Sequence, residues 1–157
     1  GISGNRWNSV PWMSWGIDDR LAYFARRGKY RSLVLQNVVT RRVEDIIELD
    51  LVDQPESPDI SPDGRTVAFS ALQNAVGDLY LLDLETRDLT NLTTDDLADY
   101  APTFSPDGSY LVYLTRVSGN DKVFRLDLAT KAKTQLTFGT SSEAAAQFLD
   151  DHTLGPG

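Results

Sequence analysis

The chain repeats itself at a fixed offset, which confines it to folds built from one small unit used several times. Pro58-Asp59-Ile60-Ser61-Pro62-Asp63-Gly64 returns as Pro102-Thr103-Phe104-Ser105-Pro106-Asp107-Gly108, 44 residues later. Asp78-Leu79-Tyr80-Leu81-Leu82-Asp83-Leu84 returns as Lys122-Val123-Phe124-Arg125-Leu126-Asp127-Leu128, and Leu92-Thr93 as Leu136-Thr137, at the same offset of 44. A looser copy comes first. There Val10-Pro11-Trp12-Met13-Ser14 stands for the proline block, and Leu21-Ala22-Tyr23 answers Val67-Ala68-Phe69. Residues 32–38 answer 78–84 at an offset of 46, and Ser14-Trp15-Gly16-Ile17-Asp18-Asp19 replaces Ser-Pro-Asp-Gly. A fourth copy begins at Ala146-Gln147-Phe148-Leu149-Asp150-Asp151-His152.

Within a copy the residues read as strands. Val67-Ala68-Phe69-Ser70 and Leu111-Val112-Tyr113-Leu114-Thr115 are short, apolar and rich in β-branched and aromatic side chains. Residues 79–84 and 123–128 have the same character, and 89–92 and 134–137 make a further short strand. Ser-Pro-Asp-Gly is a turn with a mechanism: Pro presets φ, Asp bonds back to the backbone, and Gly takes a conformation that other residues resist. Ser61, Pro62, Asp63 and Gly64, like Ser105, Pro106, Asp107 and Gly108, are therefore structural turn residues, and turn capping alone explains the recurring Asp. Residues 85–88 and 129–132 read as the next hairpin turn. The expected fold is all-β: a β-propeller fragment of about three four-stranded antiparallel blades plus the first strand of a fourth. The blades fall near residues 8–50, 51–94 and 95–138, and the extra strand within 143–154.

Taken together, the proline block, an apolar strand carrying an aromatic, Leu-Tyr-x-Leu-Asp-Leu-x-Thr and Leu-Thr resemble the TolB-type propeller repeat. The likeness is close over 58–137, loose over 8–49, and limited to one strand over 143–154. Similar blades occur in TolB, in the gating propellers of prolyl-oligopeptidase-like enzymes and in tricorn-like proteases. The resemblance implies a periplasmic or secreted bacterial setting and a protein-interaction or gating role. A blade is covered on both sides only when neighbours exist. Roughly three and a half copies are fewer than the four or so that close a ring, so a piece of a larger propeller is expected. Faces bearing Trp12, Tyr23 and Phe148 would then invite self-association.

Composition narrows the chemistry. With no Cys, disulfides, thiol nucleophiles and cysteine zinc sites are excluded. The single His, His152, deprives most acid–base and metal-hydrolase chemistry of its usual agent. A net charge of −8 disfavours nucleic acid and anionic membranes. No apolar run approaches the roughly 18–20 residues of a membrane span, so no membrane insertion is expected. Motifs for a serine elbow, a zinc protease, a phosphate loop and a dinucleotide site are all absent. Thr94-Asp95-Asp96-Leu97-Ala98-Asp99 lacks the spacing, the Gly and the closing Glu of an EF-hand and reads as a solvated loop. These residues point to no enzyme, no cofactor and no metal motif: a non-catalytic protein-interaction or scaffolding module with a protein partner. The alternatives are the gating propeller of a larger peptidase whose catalytic domain lies outside this chain, and an enzyme with a metal in the propeller channel.

Charge is distributed unevenly. Residues 1–49 hold eight Arg/Lys against five Asp/Glu, and residues 50–157 hold seven against eighteen. By analogy with other propellers, the first strand of each blade lines a central channel. Positions three before each Pro or its equivalent, Asn8, Pro55, Asp99 and Glu143, are then expected at the channel mouth. Three of these carry side-chain oxygens suited to a hard cation such as Ca²⁺, to a cationic partner group, or simply to capping loop backbone. Arg26, Arg27, Lys29 and Arg31, with Tyr30 among them, are expected on the same face, as are loops 74–77 and 117–121. An acidic mouth with cations at one side suits an oriented protein partner. Trp7, Trp12, Trp15, Tyr23 and Phe24 are assigned to core between blades in preference to a stacking platform.

Overall fold

Short-range chemistry fixes the turns first. In the computed structural model, which describes residues 13–27, 29–73, 76–95 and 97–138, Ser61 Oγ donates to Asp63 Oδ1 at 2.6 Å and accepts from Thr66 N at 3.1 Å. Asp63 Oδ1 also takes Arg65 N at 3.0 Å, and Gly64 turns the chain at φ +75°. Ser105, Asp107 and Gly108 repeat the arrangement, with Ser105 Oγ to Asp107 Oδ1 at 2.7 Å and φ +76° at Gly108. The looser first copy solves the same problem differently. Asp18 and Asp19 both adopt positive φ, 58° and 56°, and Arg20 N bonds Ile17 O at 3.2 Å. That is a mirror-image two-residue turn, which Asp tolerates better than most residues.

A second turn recurs in all three copies. Oδ1 of Asn37, Asp83 and Asp127 accepts the backbone N–H groups two and three residues on, at 2.9–3.0 Å. Thr40, Thr86 and Thr130 then accept from the amide two further on, and Arg41, Arg87 and Lys131 take positive φ. The amides hold the Asp83 and Asp127 carboxyls below the usual carboxylate range.

These turns join three four-stranded antiparallel sheets, and the described residues contain no helix. The first comprises β1 (Met13–Trp15), β2 (Arg20–Arg27), β3 (Tyr30–Asn37) and β4 (Val43–Leu49). The second comprises β5 (Asp53–Ile60), β6 (Thr66–Gln73), β7 (Val76–Asp83) and β8 (Leu89–Asn91). The third comprises β9 (Asp99–Phe104), β10 (Tyr110–Val117), β11 (Asn120–Asp127) and β12 (Lys133–Gln135). Each sheet keeps its strands in chain order, which is the blade arrangement of a partial propeller. The fourth-copy segment 143–154 lies outside the described residues.

Strand pairing corrects one alignment. Ser14 pairs with Ala22 as Asp59 pairs with Ala68 and Thr103 with Val112. Ser14 is thus the counterpart of Asp59, two residues from the position that matching Pro11 to Pro58 assigns it. A two-residue slip leaves every side chain on its own face, so burial tolerates it.

Alternation along the middle blade serves both neighbours. Val67, Phe69, Tyr80 and Leu82 enter one core with Ala22, Leu33, Leu35 and Ile47 of the first blade. Ala68 and Leu79 enter a second core with Leu111, Tyr113 and Leu126 of the third. Five successive residues of β6 are consequently buried, whereas β10 alternates between buried and half-buried. Phe24 belongs to the first core, its ring edge-on to Phe69 at 5.3 Å. Trp7 and Trp12 lie outside the described residues.

The blade contact is tight enough to test. A Cβ on Gly16 would meet Ile60 Cδ1 at 2.7 Å and Cγ2 at 2.9 Å. Gly16→Ala should destabilise the chain by about 1–3 kcal/mol through overpacking. Gly108→Ala, whose Cβ has room but whose φ is +76°, should lose about 1 kcal/mol to backbone strain. Urea unfolding of both variants checks this. A Gly16→Ala protein as stable as its parent would show that the first two blades do not meet here.

Candidate functional site

The register gives each blade two unlike ends. Phe104 pairs with Leu111 beside the Ser-Pro-Asp-Gly turn, while Asp99, at the other end of β9, pairs with Thr115 near the Val117–Asn120 hairpin tip. The hairpins closing at Arg27–Tyr30 and Gln73–Val76 occupy the corresponding places in the other blades. One end is therefore a set of stereotyped tight turns. The other, the loop end, carries the segments that differ between copies.

At the loop end Arg26 and Arg31 stand directly opposite each other across the β2–β3 hairpin, both exposed. Lys29 is exposed, its Nζ 5.1 Å from the centre of the Tyr30 ring. Arg27 closes the hairpin by pairing with Tyr30. Asp99 is buried at the head of β9, and Pro55 is buried inside β5. Asn8 and Glu143 lie outside the described residues. Backbone bulges shape these first strands, with Ser57 and its counterpart Ala101 at φ 54° and 56°.

Two buried acidic features lie between blades. Asp59 is the first: Oδ1 receives the Ser14 hydroxyl at 3.2 Å, Oδ2 receives Phe104 N at 2.7 Å, and Ser14 Oγ accepts Ile60 N at 3.0 Å. One carboxyl on the innermost strand of the middle blade thus ties it to both neighbours. Burial pushes Asp59 up to about 7, against the opposing pull of the Phe104 and Ser14 hydrogen bonds. The second is a cluster of Asp78, Asp95 and Asp99, each offering a carboxylate oxygen within 4.8 Å of the others. Burial raises Asp78 and lifts Asp99 to about 6, the Thr115 hydroxyl opposing and the Asp95 charge reinforcing the rise in Asp99.

Sequence reasoning reaches Asp99, as a channel-mouth candidate, but not Asp59, Asp78 or Asp95. Asp59 is marked only as part of the repeated proline block, where the next copy has Thr103, and Asp95 reads as solvated loop. Asp95 is half-buried and ion-paired to Lys133 at 2.8 Å. The available signal was the position of Asp78, where the other copies carry Ser32 and Lys122.

Asp59 generates a pH prediction. Its folded value lies above the unfolded value near 3.8, so the fold favours the protonated form. That stabilisation is fully present below about pH 4 and is lost as pH rises through about 7. Asp59→Asn keeps an acceptor for Phe104 N and removes the titration. Thermal midpoints measured across this window should fall with pH in the parent and fall less in the variant, the remaining slope coming from Asp99 and Asp78. Parallel slopes would refute the assignment.

Residues 10–154 match the family described as TolB beta propeller domain. No curated protein sequence matches the chain. TolB from Acinetobacter baumannii is similar in structure at 25% identity and a TM-score of 0.70, over 83% of this chain and 33% of that one. Putative TolB from Agrobacterium tumefaciens is similar at 15% identity and a TM-score of 0.65, over 81% of this chain and 49% of that one. Dipeptidyl peptidase 4 from Porphyromonas gingivalis shares the fold at 16% identity and a TM-score of 0.58, over 84% of this chain and 20% of that one. The chain spans about a third of the first protein's length and about half of the second's.

Proposed function

Because this chain belongs to the TolB beta propeller domain family, we propose that it is a non-catalytic interaction module whose loop end docks a protein partner. The observation that carries this reading is the β2–β3 hairpin. Like charges directly opposed across a sheet destabilise it, yet Arg26 faces Arg31 there, with Lys29 at the tip. Arg26, Lys29 and Arg31 are all exposed and gather positive charge at one hairpin tip, a pattern that an acidic partner surface complements. Likeness to TolB supports a periplasmic or secreted setting for such a partner. Exposed Val43 and Ile46 on β4, and Phe138 beyond β12, support self-association as a further mode of contact.

A second reading is a gating propeller serving a peptidase domain, favoured by the fold shared with dipeptidyl peptidase 4. Photo-crosslinking residues placed at Lys29 and Gly119 on the loop end, and at Glu85 and Thr130 on the turn end, separate the possibilities. Loop-end positions alone should capture one defined protein, and Arg26→Glu with Arg31→Glu should weaken its binding about tenfold, roughly 1.4 kcal/mol. Capture from the turn end only would overturn the docking proposal. Labelling of the gene's polypeptide by a fluorophosphonate, which marks an active serine, would favour the gating role.

A further inference from the structure

The crevice between the second and third blades gathers acid from three segments: Asp78 at the start of β7, Asp95 in the loop after β8, and Asp99 at the head of β9. Their carboxylate oxygens lie within 4.8 Å of one another. Three carboxylate oxygens this close are within reach of one hard cation such as Ca²⁺, whose oxygen ligands sit at about 2.3–2.6 Å in flexible geometry. Mg²⁺ demands near-ideal octahedral geometry at about 2.0–2.1 Å and gives up its waters reluctantly, so side chains from three separate segments suit Ca²⁺ better.

Clustered acids alone mean little, but two further observations bear on this cluster. Asp99 is 1% exposed; its Oδ1 receives the Thr115 hydroxyl at 2.8 Å, and its Oδ2, also buried, has no hydrogen-bond partner among the described residues. Leaving a buried carboxylate oxygen unpartnered is costly. The surroundings neutralise only part of the charge. Lys133 Nζ reaches Asp95 at 2.8 Å, while Asn91 Nδ2 and Thr93 Oγ1 donate to Asp78 at 3.2 and 3.5 Å. One ammonium faces three carboxylates.

The repeat supplies the second observation. At the position of Asp78 the first blade has Ser32 and the third has Lys122, whose Nζ is buried without a partner among the described residues. At the position of Asp99 the sequence has Pro55 one copy earlier and Glu143 one copy later. In sequence register, then, the corresponding combinations are Ser32 with Pro55, Asp78 with Asp99, and Lys122 with Glu143. Only the middle combination consists of two acids.

We propose that Asp78, Asp95 and Asp99 bind a Ca²⁺ ion that clamps the second blade to the third, with water completing the shell. Calorimetric titration of the full chain with CaCl₂ after EDTA treatment, near pH 8, should show one site with a Kd of about 1 mM or tighter. The thermal midpoint should rise with Ca²⁺, and Mg²⁺ should bind at least about tenfold more weakly. Asp99→Asn should weaken Ca²⁺ binding by about tenfold or more while raising the midpoint in EDTA, because a like charge is removed. Asp95→Asn, at the half-buried rim, should lose affinity similarly and keeps the test open if the buried variant misfolds. Asp78→Lys, which copies the third blade, should abolish the Ca²⁺ response in a folded protein. Glu85→Gln at the turn end should change nothing. No heat and no midpoint shift in the parent, equal responses to Mg²⁺ and Ca²⁺, or unaltered affinity in Asp95→Asn would each overturn the site.

Discussion

A propeller blade is a sheet with two apolar faces, and everything else in this chain depends on covering both. The middle blade meets that demand by strict alternation: Val67 and Phe69 point one way, Ala68 the other, and both directions end in a neighbouring sheet. Burial on this scale stabilises each blade contact by roughly 25 cal/mol per Å² of apolar surface removed from water, and no single blade has that surface to itself. The five consecutive buried residues of β6 reflect a blade with a described neighbour on each face.

Apolar contact sets no fine register between blades, and polar groups do that work. Asp59 bonds Ser14 of the blade before it and Phe104 N of the blade after it. Its acceptors have direction, so the three innermost strands are held at one height. Close approach completes the arrangement at Gly16, where any side chain would strike Ile60. At the turn end, Arg87 pairs with Asp45 across the same blade contact. Such exposed pairs add little energy, so the buried carboxyl and the glycine carry the alignment.

How much of this the residues disclose depends on the range of the interaction. The Ser61–Asp63 and Ser105–Asp107 turns are legible because donor and acceptor sit two residues apart. Fold class is legible because the same local chemistry recurs at a constant offset, and each recurrence brings strands of blade length. Asp59 and Ser14 are 45 residues apart and meet only through blade packing. Pairing, not the prolines, sets the register of the first copy, so matching Pro11 to Pro58 displaces Ser14 by one full side-chain period. Phe24 reads as core from its aromatic side chain, but its edge-on contact with Phe69 depends on the second blade. Asp95, polar and in a loop, carries no mark of its half-burial.

Repetition also separates structure from function inside this chain. Local turn chemistry recurs: the Asx turn at Asn37, Asp83 and Asp127 in all three copies, and Ser-Pro-Asp-Gly in two, the first blade using the Asp18–Asp19 turn instead. Where copies disagree, the fold has left the choice open, and other pressures decide. The disagreements gather at the loop end, in the Arg26–Arg31 hairpin of one blade and the Asp78–Asp95–Asp99 crevice of the next two. These two features have opposite charge and occupy the same end of neighbouring blades. A partner spanning them would meet a basic hairpin beside an acidic crevice, and a cation held in that crevice would reduce its negative field. Occupancy of the crevice would then alter both the rigidity of the second and third blades and the charge pattern that the loop end presents, linking blade cohesion to recognition through one set of carboxylates.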